Sequence, residues 1–226
     1  MHELDPQNVD PDRPHADLLL WAYRRGMFPM AAPRGRADPR PAERRLDWYS
    51  PDPRGIIPLE GFRTPASLRR IVRRSDFDIR SDTGFERVIR ACAAPRRRGG
   101  WINERLIEAY VELHRRGAAH SIEAWRGDAL VGGLYGVHIG GAFFGESMFI
   151  RPELGGTNAS KVCLVHLVRW LRRRGFALLD TQFRNRHLEQ FGCIEVPREQ
   201  YLAELSRAVD LPVTWGRFES ADESPA

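Results

Sequence analysis

The stretch HSIEAWRGDALVGGLYGVHIGGAFFGESMFI, from His120 to Ile150, decides the fold of this chain. Apolar residues recur along it in short runs, and the pairs Gly127-Asp128 and Gly140-Gly141 interrupt them with residues that suit hairpin turns. The pattern predicts three antiparallel strands joined by two tight turns. Because the strands are rich in apolar residues, the sheet needs helices to cover it.

The segments beside this stretch supply such helices. INERLIEAYVELHRRG, from 102 to 117, has an apolar stripe at helical spacing. A second helix begins at Asn158 or Ser160 and ends at Gly175, and the strand FALLDTQF follows it. Helices packed on a mainly antiparallel sheet, with a strand-helix-strand unit near the end, predict an α+β, acyltransferase-like fold.

The first 57 residues differ from the rest in composition. Three prolines, Pro51, Pro53 and Pro58, exclude a long helix there. We therefore predict a small N-terminal lobe over 1–57, with a short helix capped by Asp17, and a second domain over 58–226. The second domain opens with a helix capped by Thr64.

Composition argues against several classes of protein. No apolar run approaches the roughly 20 residues of a membrane helix, and the N-terminus is acidic and proline-rich, unlike a signal peptide. The three cysteines are odd in number and far apart, and the histidines show no metal-ligand spacing. We expect a cytoplasmic protein with no membrane partner, no disulfide framework and no metal.

The basic residues are almost all arginine, because Lys161 is the only lysine. The formal net charge of the chain is +5. A GC-rich genome explains that ratio but not the clustering of the arginines. Clusters occur at Arg69, Arg70, Arg73 and Arg74, at Arg96 to Arg98 and at Arg172 to Arg174. Since arginine suits phosphate, the clusters are compatible with a nucleic-acid partner, although a solvated helix face produces the same pattern.

Two polar residues lie in the late apolar strand. Asp180 and Gln182 are two positions apart, so a regular strand projects them to one face. An acid beside an amide can accept a proton or hold an attacking amine. The alternative is a structural aspartate that accepts backbone hydrogen bonds at the strand end.

A second carboxylate, Glu146, lies in FFGESMF among apolar residues. Phe143, Phe144 and Met148 suit the walls of a pocket for an apolar side chain, with the carboxylate orienting a polar group. Alternation alone does not decide whether Glu146 faces this pocket or solvent.

Aromatic residues also occur in irregular segments, namely Trp48, Tyr49 and Trp101. Such residues stack on a nucleobase or sugar, or they pack between two lobes. The sequence leaves both interpretations open.

An ordered set of motifs carries a family resemblance: YRRGMFPM, WYSPDPR, LVGGLYGV, FFGESMF, NASK and LLDTQFRNRHLEQFG. From about Asp17 to Leu205 the chain closely resembles leucyl/phenylalanyl-tRNA–protein transferases. The resemblance implies an enzyme that moves leucine or phenylalanine, with methionine as a further candidate, from aminoacyl-tRNA to the N-terminal arginine or lysine of a protein. That protein is thereby marked for degradation by the N-end rule pathway. The resemblance also implies a GNAT-like domain after a small N-terminal one, and we expect a monomer without a cofactor.

The resemblance also implies roles for individual residues. Asp180 and Gln182 would be the acid and amide that assist attack by the α-amino group. The pocket for the amino-acid side chain would contain Glu146, Gly145, Met148, Phe143, Leu134, Leu164, Leu167 and Leu171. The terminal adenosine region would be held by Trp48, Trp101 and Tyr110, and the arginine clusters would contact the phosphates of the acceptor stem.

The chain departs from the family pattern in four places, one of which is the absence of the glycine-rich segment that usually precedes the first helix. Met30 and Tyr49 stand where tryptophan is usual, and the segment from Leu154 to Thr157 is inserted before NASK. Two alternative functions are a GNAT-like acetyltransferase that uses acetyl-CoA and a non-catalytic tRNA-binding protein. The first needs a Q/R-x-x-G-x-G/A loop, which RPELGGTNASK does not supply, and the second leaves Asp180 and Gln182 without a role.

Overall fold

The structure is a computed structural model that describes residues 14–31, 46–74, 76–94 and 100–220. The predicted arginine cluster at Arg96 to Arg98 lies outside the described residues. Within the described ranges, none of the helices is both long and apolar enough to cross a membrane.

The described residues form both helices and strands, which are intermixed along the chain. Their order is α1 (Ala16–Tyr23), β1 (Phe28–Ala31), β2 (Leu46–Tyr49), β3 (Arg54–Ile56), α2 (Ala66–Arg73), β4 (Asp78–Ser81), α3 (Phe85–Ala93), α4 (Glu104–Arg115), β5 (Ala119–Arg126), β6 (Ala129–Ile139), β7 (Ala142–Ile150), a short 3₁₀ helix (Pro152–Leu154), α5 (Ala159–Arg174), β8 (Leu178–Gln182), α6 (Arg186–Glu189), β9 (Ile194–Val196) and α7 (Arg198–Val209).

One large mixed sheet organises the chain. Its strand order is β4-β5-β6-β7-β8-β3-β9, and β1 pairs with β2 in a separate two-stranded sheet. Every pair in the large sheet is antiparallel except β7 and β8, which are parallel and joined through α5. The α+β fold with a mainly antiparallel sheet is confirmed, and so is the three-stranded segment β5-β6-β7.

Helices cover both faces of this sheet. On one face α3 and α4 bury residues such as Val88 and Leu106, and on the other α5 buries Val165, Val168 and Leu171. The buried side of α5 therefore packs against β5 and β6. Two apolar layers enclose the sheet and fix the positions of its central strands.

Two predicted helix caps are wrong. α1 begins at Ala16 with His15 as its N-cap, because the His15 ring accepts a hydrogen bond from the Leu18 N–H. Asp17 therefore lies in the first turn instead of before it. α2 begins at Ala66 after Pro65, which offers no side-chain cap. The prediction for α5 is confirmed, with Asn158 at its N-cap and Gly175 ending it in a left-handed conformation.

The sequence gives no sign of the short strand β3. Its three residues follow two prolines, yet it lies between β8 and β9 in the large sheet. The segment 1–57 thus contributes one strand to the main sheet. The lobe boundary at residue 57 stays a prediction.

A close backbone approach near the middle of the sheet generates a prediction for Gly136→Ala. A Cβ at Gly136 would overlap the Phe144 carbonyl oxygen and the Phe143 ring. We expect the free energy of unfolding to fall by about 1–3 kcal/mol, as in overpacked cores. Urea unfolding measures it, with Gly100→Ala as the control because a Cβ there has, its chain neighbours aside, no atom of the described residues within 4 Å. Equal stability of the two variants would contradict the close approach.

Candidate active site

A cavity of about 410 Å³ lies where the parallel strands β7 and β8 separate. Their pairing runs only to Phe144 and Asp180, after which β7 continues beside β6 and β8 continues beside β3. Residues of both strands beyond that pair line the cavity, including Glu146 and Gln182. The site therefore occupies a gap in the sheet, between the two covering layers.

A bulge in β7 presents Glu146 to this cavity. Tyr135 of β6 is paired with Ser147 and Gly136 with Gly145, so Glu146 is the extra residue between the two pairs. Bulges re-aim side chains and break the two-residue period of a strand. This irregularity resolves the choice left open by the sequence, because Glu146 lines the cavity.

Three side chains donate hydrogen bonds to Glu146. The Tyr23 hydroxyl lies 2.6 Å from Oε1, the Tyr110 hydroxyl 3.2 Å from Oε2 and the Gln182 Nε2 3.2 Å from Oε1. The two tyrosine hydroxyls are also 2.6 Å from each other. Glu146 and Gln182 together form a polar wall that we call the Glu146–Gln182 pair.

Gln182 itself lies in a strained turn at the end of β8. Its φ is +59°, and the Phe183 N–H donates to the Thr181 carbonyl oxygen at 2.6 Å. A hydrogen bond from residue i+2 to residue i around a positive φ is a γ-turn of the rare, strained type. Such backbone strain persists only where the surroundings fix it, and it clusters at functional sites.

Asp180 lies behind this turn and does not line the cavity. It is fully buried and makes a two-pronged ion pair with Arg54, with Nε–Oδ1 at 2.9 Å and Nη2–Oδ2 at 2.6 Å. Tyr201 donates to Oδ2 at 2.7 Å, and the Gln182 backbone N–H donates to Oδ1 at 2.8 Å. The structural interpretation of Asp180 therefore has a counterpart, since the carboxylate accepts a backbone hydrogen bond at the end of the strand. Of the two residues expected to share one face, only Gln182 lines the cavity, because the turn at Gln182 breaks the strand period.

Most of the predicted site residues line the cavity, namely Leu134, Gly145, Glu146, Met148, Leu164, Leu167, Gln182 and Trp101. The others lie outside its lining, namely Phe143, Leu171, Asp180, Trp48 and Tyr110. Phe143 of β7 and Leu171 of α5 pack in the core between that helix and the sheet. Tyr110 is buried against Glu146, and Trp48 is a half-buried residue of β2.

Comparison with known proteins places this chain in a family. The family model described as leucyl/phenylalanyl-tRNA protein transferase matches residues 56–206. The chain belongs to this family. The resemblance found from the motifs is therefore confirmed.

Relatives with the name leucyl/phenylalanyl-tRNA–protein transferase match most of the chain. That of Paramagnetospirillum magneticum is 54% identical over 196 residues, which cover 86% of this chain and 88% of that protein. That of Gloeobacter violaceus is 50% identical, over 87% of this chain and 94% of that protein. Among solved structures, L-PGS from Bacillus licheniformis covers 70% of this chain and 65% of that chain at 11% identity and a TM-score of 0.43.

The sequence alone did not predict several residues that line the cavity or support its polar side chains. Phe183, which is 48% exposed, and Met30 line the cavity. Tyr23 donates a hydrogen bond to Glu146, while Arg54 and Tyr201 donate to Asp180 behind the cavity wall. Tyr23 and Arg54 lie within the motifs YRRGMFPM and WYSPDPR, which was the available signal. Tyr201 resembles an ordinary core residue of an amphipathic helix and gave no signal.

The pKa of Glu146 is raised from 4.5 to about 7. Burial is the main cause, the hydrogen bond from Tyr23 opposes the rise, and the charge of Asp180 adds to it. Burial also raises the pKa of Tyr23 and of Tyr110 well above 10, so both hydroxyls keep their protons and act as donors. Glu146 is thus an acid that changes charge near neutral pH.

This shift predicts how stability depends on pH. Between pH 4.5 and 7 the folded chain keeps a proton on Glu146 that the unfolded chain has lost, so stability falls as pH rises. The loss is on the order of 3 kcal/mol. We expect Glu146→Gln to lack it, so urea unfolding at pH 5 and pH 8 should show a smaller decrease for the variant. Parallel curves for both proteins would contradict the raised pKa.

Proposed function

We propose that the chain is an aminoacyltransferase that moves leucine or phenylalanine, with methionine as a further candidate, from aminoacyl-tRNA to the N-terminal arginine or lysine of a protein. The observation that carries the proposal is the Glu146–Gln182 pair in the wall of a mainly apolar cavity. A polar pair there can hold an amine while the apolar lining takes an aliphatic or aromatic side chain. The family membership supplies the substrate class.

The proposed reaction needs alignment and one proton acceptor. The α-amino nitrogen of the acceptor attacks the ester carbonyl carbon, a C–N bond forms, and the C–O bond to the terminal ribose breaks. One proton leaves the nitrogen and one proton ends on the ribose oxygen. Glu146 suits the first transfer, because a base with a pKa near the working pH is the most effective.

The lining of the cavity divides by chemistry. An apolar wall is formed by Leu164 and Leu167 of α5 together with Leu134 of β6 and Met148 of β7, and methionine adapts its shape to different side chains. We assign this wall to the transferred amino acid. Gln182 places its carboxamide beside Glu146, where the acceptor amine would meet the ester.

The arginines of α2 are the best candidates for contacts with tRNA phosphates. Arg69, Arg70 and Arg73 are exposed, whereas Leu68 and Val72 face the core. The arginines at the end of α5 are occupied within the protein, since Arg172 donates to the Leu59 carbonyl oxygen and Arg174 to Thr214. Contacts from α2 would be independent of sequence and sensitive to salt.

The finer architecture belongs to the same proposal. A separated parallel strand pair joined by one helix is the feature that supports a GNAT-like domain over 58–226, after a small lobe over 1–57. The arrangement would work in the cytoplasm as a monomer. It would use no cofactor, because an aminoacyl ester is already activated.

An incubation with three arms tests the proposal. The protein receives leucyl-tRNA and a peptide that starts with arginine, the same tRNA with a peptide that starts with an acetylated residue, or acetyl-CoA with the first peptide. We expect a leucylated product in the first arm alone, detected by mass spectrometry. Acetylation would favour the acetyltransferase, and tRNA binding without transfer would favour a binding protein.

Phe183 generates a separate prediction about substrate binding. It is half-exposed at the cavity and contacts Phe28 edge-on at 5.8 Å, so one ring face is available to a nucleobase. Stacking contributes about 1–3 kcal/mol per base, so Phe183→Ala should raise KM for aminoacyl-tRNA roughly tenfold with little change in kcat. Ile194→Ala is the control, because Ile194 is similarly exposed but does not line the cavity. An unchanged KM for Phe183→Ala would exclude stacking.

A further inference from the structure

Asp180 has no lone pair to offer a substrate. Each carboxylate oxygen accepts two hydrogen bonds, Oδ1 from Arg54 and the Gln182 backbone, and Oδ2 from Arg54 and Tyr201. A carboxylate has about four lone-pair sites, so all of them are occupied by the protein. The group is also fully buried and absent from the cavity lining.

The same four hydrogen bonds act on the γ-turn. The backbone N–H of Gln182, the central residue of the turn, donates to Asp180 Oδ1 at 2.8 Å. Arg54 holds Asp180 from β3, and it also donates to the Gly26 carbonyl oxygen at 2.8 Å. The carboxylate is therefore a rigid connection between the backbone of Gln182 and two other segments.

The neighbour of Arg54 adds a steric restraint. Gly55 is paired with Gln182, and a Cβ at Gly55 would lie 2.6 Å from both the Phe183 carbonyl carbon and the Arg184 nitrogen. Real Cβ atoms do not approach backbone so closely, so the turn packs directly on Gly55. Charge and close packing from β3 thus converge on one backbone conformation.

We propose that Arg54, Asp180 and Tyr201 are positioning residues that hold the γ-turn at Gln182 and thereby keep its carboxamide against Glu146. In this arrangement Asp180 exchanges no proton with the substrate. The Gln182 side chain touches the reacting groups, and the three residues act only through it. The inference rests on the proposed transfer reaction.

Tyr201→Phe separates this role from a proton-accepting role of Asp180. The variant leaves the charge of Asp180 and its pair with Arg54 intact but removes one hydrogen bond that the carboxylate accepts. If Asp180 were a base, losing that bond would strengthen it and leave kcat unchanged or higher. If Asp180 positions Gln182, kcat falls, by roughly ten- to a hundredfold for a displacement near 1 Å.

Ser121→Ala is the matched control. The Ser121 hydroxyl donates to Glu123 at 2.7 Å, the distance that Tyr201 keeps from Asp180, and Glu123 is equally buried. Neither Ser121 nor Glu123 lines the cavity. We expect Ser121→Ala to lower the melting temperature as Tyr201→Phe does. Its kcat should stay within about twofold of the unaltered protein, because a substitution with no contact to the cavity is energetically independent of the reacting groups.

A double-mutant cycle with Gln182→Ala gives the decisive readout. When two residues act through one another, their effects on kcat do not multiply. We expect Tyr201→Phe to lower kcat in the original chain but by less than about twofold in the Gln182→Ala background. A full product of the two effects, or no effect of Tyr201→Phe alone, would overturn the inference.

Gly55→Ala provides a second route to the same test. It displaces the turn sterically without removing any atom of the Arg54–Asp180 pair. We expect the same loss of kcat, again absent in the Gln182→Ala background, with KM for both substrates nearly unchanged. Leucyl transfer is also measured for the unaltered chain. If that transfer is absent, the proposed function is wrong. If it is present but the effects of the two substitutions on kcat multiply, only this inference is wrong.

Discussion

The buried ion pair between Arg54 and Asp180 is the interaction on which the site depends. Removing two charges from water is costly unless their remaining hydrogen-bonding groups are satisfied. Here the guanidinium also reaches the Gly26 carbonyl oxygen and lies over the Tyr201 ring, 4.5 Å from its centroid. The pair is compensated in this way, and it joins the turn after α1, strand β3, strand β8 and helix α7.

Two backbone irregularities direct polar side chains of β7 and β8 towards the cavity. The bulge at Glu146 and the γ-turn at Gln182 lie on neighbouring strands, at the point where their pairing ends. Each one redirects a polar side chain that a regular strand would have placed elsewhere. A regular β7–β8 ladder would have closed the gap in the sheet, so the cavity exists because both strands are irregular there.

The regular parts of the molecule were predictable from the sequence because they follow simple periods. The strands β5 to β7 showed their turns as Gly127-Asp128 and Gly140-Gly141, and the bounds of α5 followed from Asn158 and Gly175. Leu164 and Leu167 were expected at a pocket from the family resemblance, and they line the cavity. The orientation of Glu146 was not predictable, because a bulge changes the count on which alternation rests.

Long-range partners were not predictable for a different reason. Arg54 and Asp180 are 126 positions apart, and no local pattern indicates which buried carboxylate a given arginine will meet. Strand β3 has three residues after a proline-rich segment, which reads as a turn. The sequence therefore indicated an unusual buried aspartate but not the partners of Asp180, and those partners decide what its carboxylate can do.

The hydrogen bonds from Tyr23 and Arg54 also bear on modularity. Both residues precede position 58, yet one contacts Glu146 and the other contacts Asp180. The amino-terminal segment therefore takes part in building the candidate site, through Glu146 in the cavity wall and Asp180 behind it. Anyone who grafts the later segment onto another scaffold, or exchanges the early one between homologues, must transplant this tyrosine and arginine with it.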